Sequence, residues 1–184
     1  MNKSLIIFCI VVLSSFQMRG QKFFTRNGHL GFFSKTNMED IKASNESVTY
    51  IMDLSTGEIN ISALQTNFQF EKALMQEHYN ENYVESSKFP KAIFKGKIDD
   101  MSKVNFKMEG VYNAKVSGNL EIHGVTKPYS VDAVFKVGGG HVLAETNFKV
   151  KCADHNIKIE SSLKNNIAES IDVNAKADLT ELKK

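Results

Sequence analysis

The sequence predicts an all-β fold with one inserted helix, in which eight or nine antiparallel strands close into a barrel or stack as two sheets. Apolar and polar residues alternate with period two over most of the chain after residue 20. Short turn signals separate these segments, and only residues 71–82 depart from the pattern. Strands with short connections form an antiparallel sheet with one wet and one dry face. Eight of them must hide their dry faces from water by one of the two arrangements.

The first twenty residues differ from the rest and predict a secretory signal peptide. Lys3 precedes the unbroken apolar run Leu5–Leu13, and small residues follow up to Gly20. The apolar run is shorter than the roughly 20 residues that a stable membrane-spanning helix needs. We expect cleavage after Gly20, leaving Gln21 first and a single domain over 21–184; an uncleaved N-terminal anchor is the alternative. Export predicts a periplasmic or secreted protein.

Charge and cysteine content narrow the class of protein further. The formal charge of +2 falls to zero once Lys3 and Arg19 leave with the signal peptide. No basic excess is then left to bind nucleic acid or an anionic membrane surface. Cys152 is the single cysteine after residue 20, so an intramolecular disulfide is excluded and stability must come from a core.

The predicted strands follow one another along the chain. An edge hairpin is expected near Phe23–Phe33, broken at Asn27-Gly28. The clearest alternation lies in Lys103–Gly110, where the valine, phenylalanine and methionine share one face. The other predicted strands are 48–54, 58–64, 92–98, 116–122, 129–137, 142–150 and 171–179, with turns at 55–57, 99–100, 123–124 and 138–140.

One segment predicts a helix of about three turns. Glu71–Asn82 is rich in helix-forming residues and shows no alternation. Phe70, Ala73, Leu74 and His78 share a helical face by their spacing. We expect this helix to plug one end of a barrel or to cover an open seam.

No pattern in the chain predicts catalysis. Zinc needs three or four converging ligands, and Cys152-x-x-His155 supplies only half a site. Glu77 and His78 are neighbours on the predicted helix and point about 100° apart, so their spacing does not make them a catalytic pair. The glycines at 138–140 lack the following helix of a phosphate-binding loop. We therefore predict a protein that is not an enzyme and that has no metal or cofactor.

The apolar residues of the dry faces allow two interpretations. Phenylalanine and methionine side chains there either fill a core or line a cavity for a hydrophobic molecule. Composition is compatible with both.

Three segments in order resemble one known family. They are Met75–Ile98, with S-K-F-P-K-A-I-F at its centre; Val116–Phe135, with H-G-V-T-K-P at His123–Pro128; and the Ala153–Ile157 segment A-D-H-N-I. Together the chain over about residues 22–180 resembles the YceI-like lipid/polyisoprenoid-binding family. The resemblance implies a lipocalin-like, eight-stranded antiparallel barrel, exported, that encloses an isoprenoid chain such as a quinone and has no catalytic residues. It also implies a turn at His123–Pro128 and a strand that starts near Pro90.

The leading hypothesis is therefore an exported carrier or sequestering protein for a long apolar lipid, of the polyisoprenoid or isoprenoid quinone type. The expected ligand-binding residues are Met52, Phe68, Phe70, Leu74, Phe94, Phe106, Met108, Leu120, Phe135 and Phe148, with His78, Tyr79 and Tyr83 at the pocket mouth. The alternatives are a structural or interaction barrel with a filled core and a quinone-linked redox or stress accessory protein. A homodimer stays open.

Overall fold

The computed structural model describes residues 21–182 and consists mainly of antiparallel strands. The strands are β1 (Lys22–Lys35), β2 (Asp40–Asp53), β3 (Glu58–Leu64), β4 (Gln69–Phe70), β5 (Lys91–Ile98), β6 (Gly110–Ile122), β7 (Val125–Gly138), β8 (His141–Lys151) and β9 (Ser170–Glu181). A helix, α1 (Ala73–His78), continues into a π-helical turn at Tyr79–Tyr83. The predicted signal peptide lies outside the described residues.

The sheet closes on itself. Its strands follow the order β1-β9-β8-β7-β6-β5-β3-β2, and β1 also pairs with β2. The two-residue β4 pairs with Ala43 and Ser44 of β2, beyond the part of β2 that pairs with β3. The eight-stranded, lipocalin-like barrel is thus confirmed, and the stacked-sheet alternative is wrong.

The predicted hairpin near Phe23–Phe33 is wrong, because β1 is one strand that pairs with both β2 and β9. Asn27-Gly28 produces shifts in register rather than a turn. The Tyr50 ring packs onto Gly28, where a Cβ would lie 2.2 Å from a ring carbon, and the Tyr50 hydroxyl donates to the His29 carbonyl at 3.0 Å. The glycine therefore serves the close approach of a ring inside a continuous strand.

The strand expected at Lys103–Gly110 is also wrong: Met101–Lys103 is a 3₁₀ turn, and β6 begins only at Gly110. Polar side chains here bond the local backbone. The Asp100 carboxylate accepts from the Ser102 amide, and the Asn105 side chain accepts from the Lys107 amide. Such bonds compete with a strand ladder and favour turns.

The helix is confirmed, but the face predicted for it is wrong. That face included Phe70, whereas Phe70 lies in β4 and the helix begins at Ala73. Leu74 consequently points outward and is 60% exposed, while Met75 and Tyr79 face the barrel interior.

The turn expected at His123–Pro128 is shorter than predicted. His123 and Gly124 alone form it, and β7 starts at Val125. Pro128 is a strand residue opposite Asn119 of β6.

One end of the barrel is largely packed with apolar side chains. Near the start of β1, Phe23 belongs to a cluster with Val104, Val142 and Ala177, all of them buried. Phe106 closes this end by an edge-on contact with Phe135 at a centroid distance of 6.0 Å. The larger interior space lies toward α1 and the opposite end.

Candidate ligand-binding cavity

A cavity of about 370 Å³ occupies the barrel interior on the α1 side. The period-two alternation of the strands supplies its wall: in β7, for example, Tyr129, Val131, Ala133 and Phe135 line it in succession. The segment 157–167 between β8 and β9 adds further apolar side chains at the open end. The lining is almost entirely apolar, so it suits a hydrocarbon group.

Most residues expected to bind ligand border this cavity. They are Met52, Phe68, Phe70, Phe94, Leu120, Phe135 and Phe148, together with His78, Tyr79 and Tyr83. Three expected residues do not. Phe106 borders a smaller space of about 230 Å³ at the packed end, Met108 is 59% exposed beside the irregular segment before β6, and Leu74 lies on the outer side of α1. These three side chains lie outside the cavity because residues 103–110 do not form a strand and the helix does not turn Leu74 inward.

Four aromatic rings form a wall where α1 crosses the barrel. The Tyr79 ring lies 5.1–5.8 Å from those of Phe32, Phe68 and Phe70. Its hydroxyl donates to Gln65 Oε1 at 2.6 Å, and burial raises the Tyr79 pKa above its usual value. Tyr79 therefore belongs to the dry interior rather than to a wet mouth, where the sequence had placed it.

Gln65 is a cavity-lining residue that sequence reasoning missed. It lies in a 3₁₀ turn after β3 and is only 1% exposed. Its Oε1 accepts from Tyr79, and its Nε2 is buried with no hydrogen-bond partner among residues 21–182. A polar residue outside any alternating segment offered no sequence signal for this position.

His78 and Tyr83 border the open side of the cavity. The His78 residue is exposed, and Tyr83 is half-buried. Burial, and then the nearby Glu160 carboxylate, raise the pKa of the Tyr83 hydroxyl. Both residues line the cavity, and their assignment to its mouth stays a prediction.

A hydrogen-bonded cluster joins three segments beside the mouth. The His155 ring is fully buried; its Nδ1 donates to the Val125 carbonyl at 2.9 Å, and its Nε2 accepts from the Tyr129 hydroxyl at 3.2 Å. His123 Nδ1 donates to the His155 carbonyl at 3.1 Å, and His123 Nε2 lies 2.6 Å from Glu85 Oε2. The hydrogen bond from His123 lowers the pKa of the Glu85 carboxyl.

The Cys152-x-x-His155 spacing does not develop into a metal centre. His155 uses both ring nitrogens within the fold, and burial raises the pKa of the Cys152 thiol. Within residues 21–182, no group of three or more His, Cys, Asp or Glu side chains is arranged to hold a metal ion. The same part of the chain contains no helix of the length and apolarity needed to cross a membrane.

A single closed antiparallel sheet around an apolar space defines the class of lipocalin-like barrels. The family model for the YceI-like domain matches residues 13–179, and the chain belongs to this family. The resemblance read from the three sequence segments is thereby confirmed.

Solved structures share the fold at low identity. A polyisoprenoid binding domain from Saccharophagus degradans, implicated in plant cell wall breakdown, is 12% identical with a TM-score of 0.77, over 89% of this chain and 100% of its own. Burkholderia cenocepacia BcnA is 14% identical with a TM-score of 0.68, over 83% of this chain and 96% of its own. The Campylobacter jejuni YCEI protein is 16% identical with a TM-score of 0.59, over 77% and 85%. No curated protein matches this chain.

Proposed function

We propose that this protein is an exported carrier or sequestering protein that holds a long apolar lipid, of the polyisoprenoid or isoprenoid quinone type, inside its barrel. The observation that carries the proposal is the apolar cavity of about 370 Å³ within a YceI-like barrel. Ligand pockets commonly have volumes of about 300–1,000 Å³, so the space is large enough to hold part of a chain.

The chemistry of the lining supports a hydrocarbon ligand. Each CH₂ group taken out of water contributes roughly 0.8 kcal/mol, so a long chain binds firmly without specific polar contacts. The similar Saccharophagus degradans domain is described as polyisoprenoid binding, which supports an isoprenoid chain. Mouth residues such as His78 and Tyr83 would then meet the polar end of the ligand.

The alternatives have less support. A filled-core barrel is the weaker interpretation because a large apolar space lies in the interior. A redox role would need an activated group, whereas burial disfavours the Cys152 thiolate. We propose binding without catalysis and without a cofactor, in which His123 and His155 hold loops together. Export is supported by the signal-like pattern around Leu5–Leu13.

Native mass spectrometry of residues 21–184, produced with export and never exposed to detergent, tests the proposal. We expect a stoichiometric adduct that organic solvent releases, with masses spaced by isoprene units. If the purified protein carries no adduct, it is incubated with quinones and polyprenyl phosphates. A lipid-free mass after that incubation would contradict the proposed function.

A further inference from the structure

The ladder between β7 and β8 ends halfway along both strands. Pairing runs from Gly138↔His141 to Ala133↔Thr146 and stops there. Residues 125–132 stay in β7 because β6 pairs with them, and residues 147–151 stay in β8 because β9 pairs with them. These segments of the two strands therefore belong to the barrel wall without a ladder between them.

Two hydrogen bonds frame this opening, which we call the β7–β8 window (residues 125–132 and 147–151). At one end, the Thr146 hydroxyl donates to the Asp132 carbonyl at 2.7 Å; at the other, His155 Nδ1 donates to the Val125 carbonyl. The Asp132 carbonyl points toward β8, and alternation puts the backbone of Pro128 on the same side. The missing N–H of proline therefore removes no ladder bond here.

Two aromatic side chains occupy the window. The Tyr129 and Phe148 rings meet edge-on at 6.1 Å, and both line the cavity. The Tyr129 hydroxyl is hydrogen-bonded to His155, whereas Phe148 has no polar group to anchor it and is half-buried. The flanking Ser130 and Lys149 are exposed. Cavity and solvent are thus separated here by side chains rather than by a hydrogen-bonded sheet.

At other places in the barrel where pairing between two strands stops, additional hydrogen bonds to the backbone close the gap. Where β3 ends beside β2, the Asn45 side chain donates to the Leu64 carbonyl and β4 adds to β2. Where the pairing of β6 with β5 ends, at Val116, the Asp99 amide donates to the Lys115 carbonyl. Among the described residues, no comparable backbone hydrogen bond joins residues 147–151 to β7. The window is about 17 Å long, taking about 3.4 Å per residue along β8.

We propose that the β7–β8 window is a side opening through which the hydrocarbon chain of the ligand passes, with the Phe148 ring as its movable gate. The inference rests on the proposed function, since it concerns how the same cavity is filled. Passage there requires side-chain rotation and breaks no ladder bond. Access from the end of the barrel must instead pass α1 and the segment 157–167, which line the cavity at that end.

Cross-linking the window tests the proposal. In a Cys152→Ser background, Ser130→Cys and Lys149→Cys are bridged by a short bis-maleimide. The matched control is Lys136→Cys with Leu143→Cys, a cross-strand pair in the bonded part of the same two strands. The transfer of radiolabelled geranylgeraniol from vesicles to the protein, and its release back to vesicles, are then followed over time.

The window cross-link should slow uptake and release by about tenfold or more while the dissociation constant stays within about twofold, since a gate changes rates and not the bound state. The control cross-link should change neither. Unchanged rates in the cross-linked window variant would overturn the proposal. Failure of every variant and of the unmodified protein to bind geranylgeraniol would instead count against the proposed function.

A second variant acts in the opposite direction. Phe148→Ala should speed both uptake and release, because it removes the gate. Phe94→Ala is the comparison, since Phe94 also lines the cavity but lies where β5 is bonded to both β3 and β6. It should weaken binding without faster uptake. Equal uptake rates for the two variants would contradict a gate at Phe148.

Discussion

A larger side chain in place of Ala144 would distinguish a barrel with an open cavity from one with a filled core. Ala144 lies on β8 opposite Phe135 of β7 and Ala177 of β9, and it is half-buried and lines the cavity. In Ala144→Phe the new ring extends into this apolar space. The ring should stabilise the ligand-free protein and weaken lipid binding at the same time.

The magnitudes follow from the area that the ring buries. Burying a phenylalanine side chain contributes about 1.5–3 kcal/mol, which for a domain of this size raises the Tm by roughly 4–10 °C. The ring displaces about four CH₂ groups of ligand at about 0.8 kcal/mol each, so the dissociation constant should rise by about 200-fold. In a filled core the same substitution would overpack and destabilise by about 1–3 kcal/mol.

Thermal unfolding of the lipid-free protein and equilibrium binding of geranylgeraniol measure the two effects. The control is Val111→Phe, because Val111 is 65% exposed on the outside of β6 and an added ring there meets solvent. The control should leave binding unchanged. A lower Tm for Ala144→Phe, with unaltered affinity, would refute the cavity and favour a filled core.

Two further predictions concern stability. Burial raises the Tyr79 pKa above its unfolded value of about 10, so the free energy of unfolding should fall above pH 10 by about 1.4 kcal/mol per pH unit from this residue. The free energy of unfolding should be measured by urea unfolding between pH 8 and 11.5. Its decrease above pH 10 should be smaller in Tyr79→Phe and unchanged in Tyr112→Phe; the same pH dependence in both variants would contradict the prediction. Gly124→Ala should cost about 2–4 kcal/mol, since its φ is +70° and a Cβ would lie 2.4 Å from the Phe89 ring. Gly139→Ala, with a φ of +58° and no atom within 4 Å, should cost only about 1 kcal/mol, and similar losses for the two would show that the ring contact is unimportant.

The alternation of apolar and polar residues predicted strands correctly where the tertiary contacts favour the same structure. The alternation over 129–137 and 142–150 correctly assigned the inward residues of β7 and β8, because a strand places successive side chains on opposite faces. The same rule failed at Lys103–Gly110. There, short side-chain bonds from Asp100 and Asn105 stabilise turns, and an alternating pattern alone does not reveal them.

For the helix, too, the sequence predicted one property correctly and another wrongly. Composition located it, but the face it turns inward depends on where the helix starts, and Phe70, which was counted on that face, instead pairs with β2 as part of β4. Leu74 was therefore assigned to the interior and Met75 was missed.

By itself, the sequence determined an all-β chain with one helix, the inward faces of most strands, and the family, because these depend on local alternation and on contiguous segments. Only the tertiary structure decided that β1 closes the barrel, by pairing with β9 about 150 residues later, and that the aromatic residues leave a space between them. Filled and hollow barrels can share one composition. The difference depends on how far apart opposite walls lie, and this distance arises only when all eight strands are assembled.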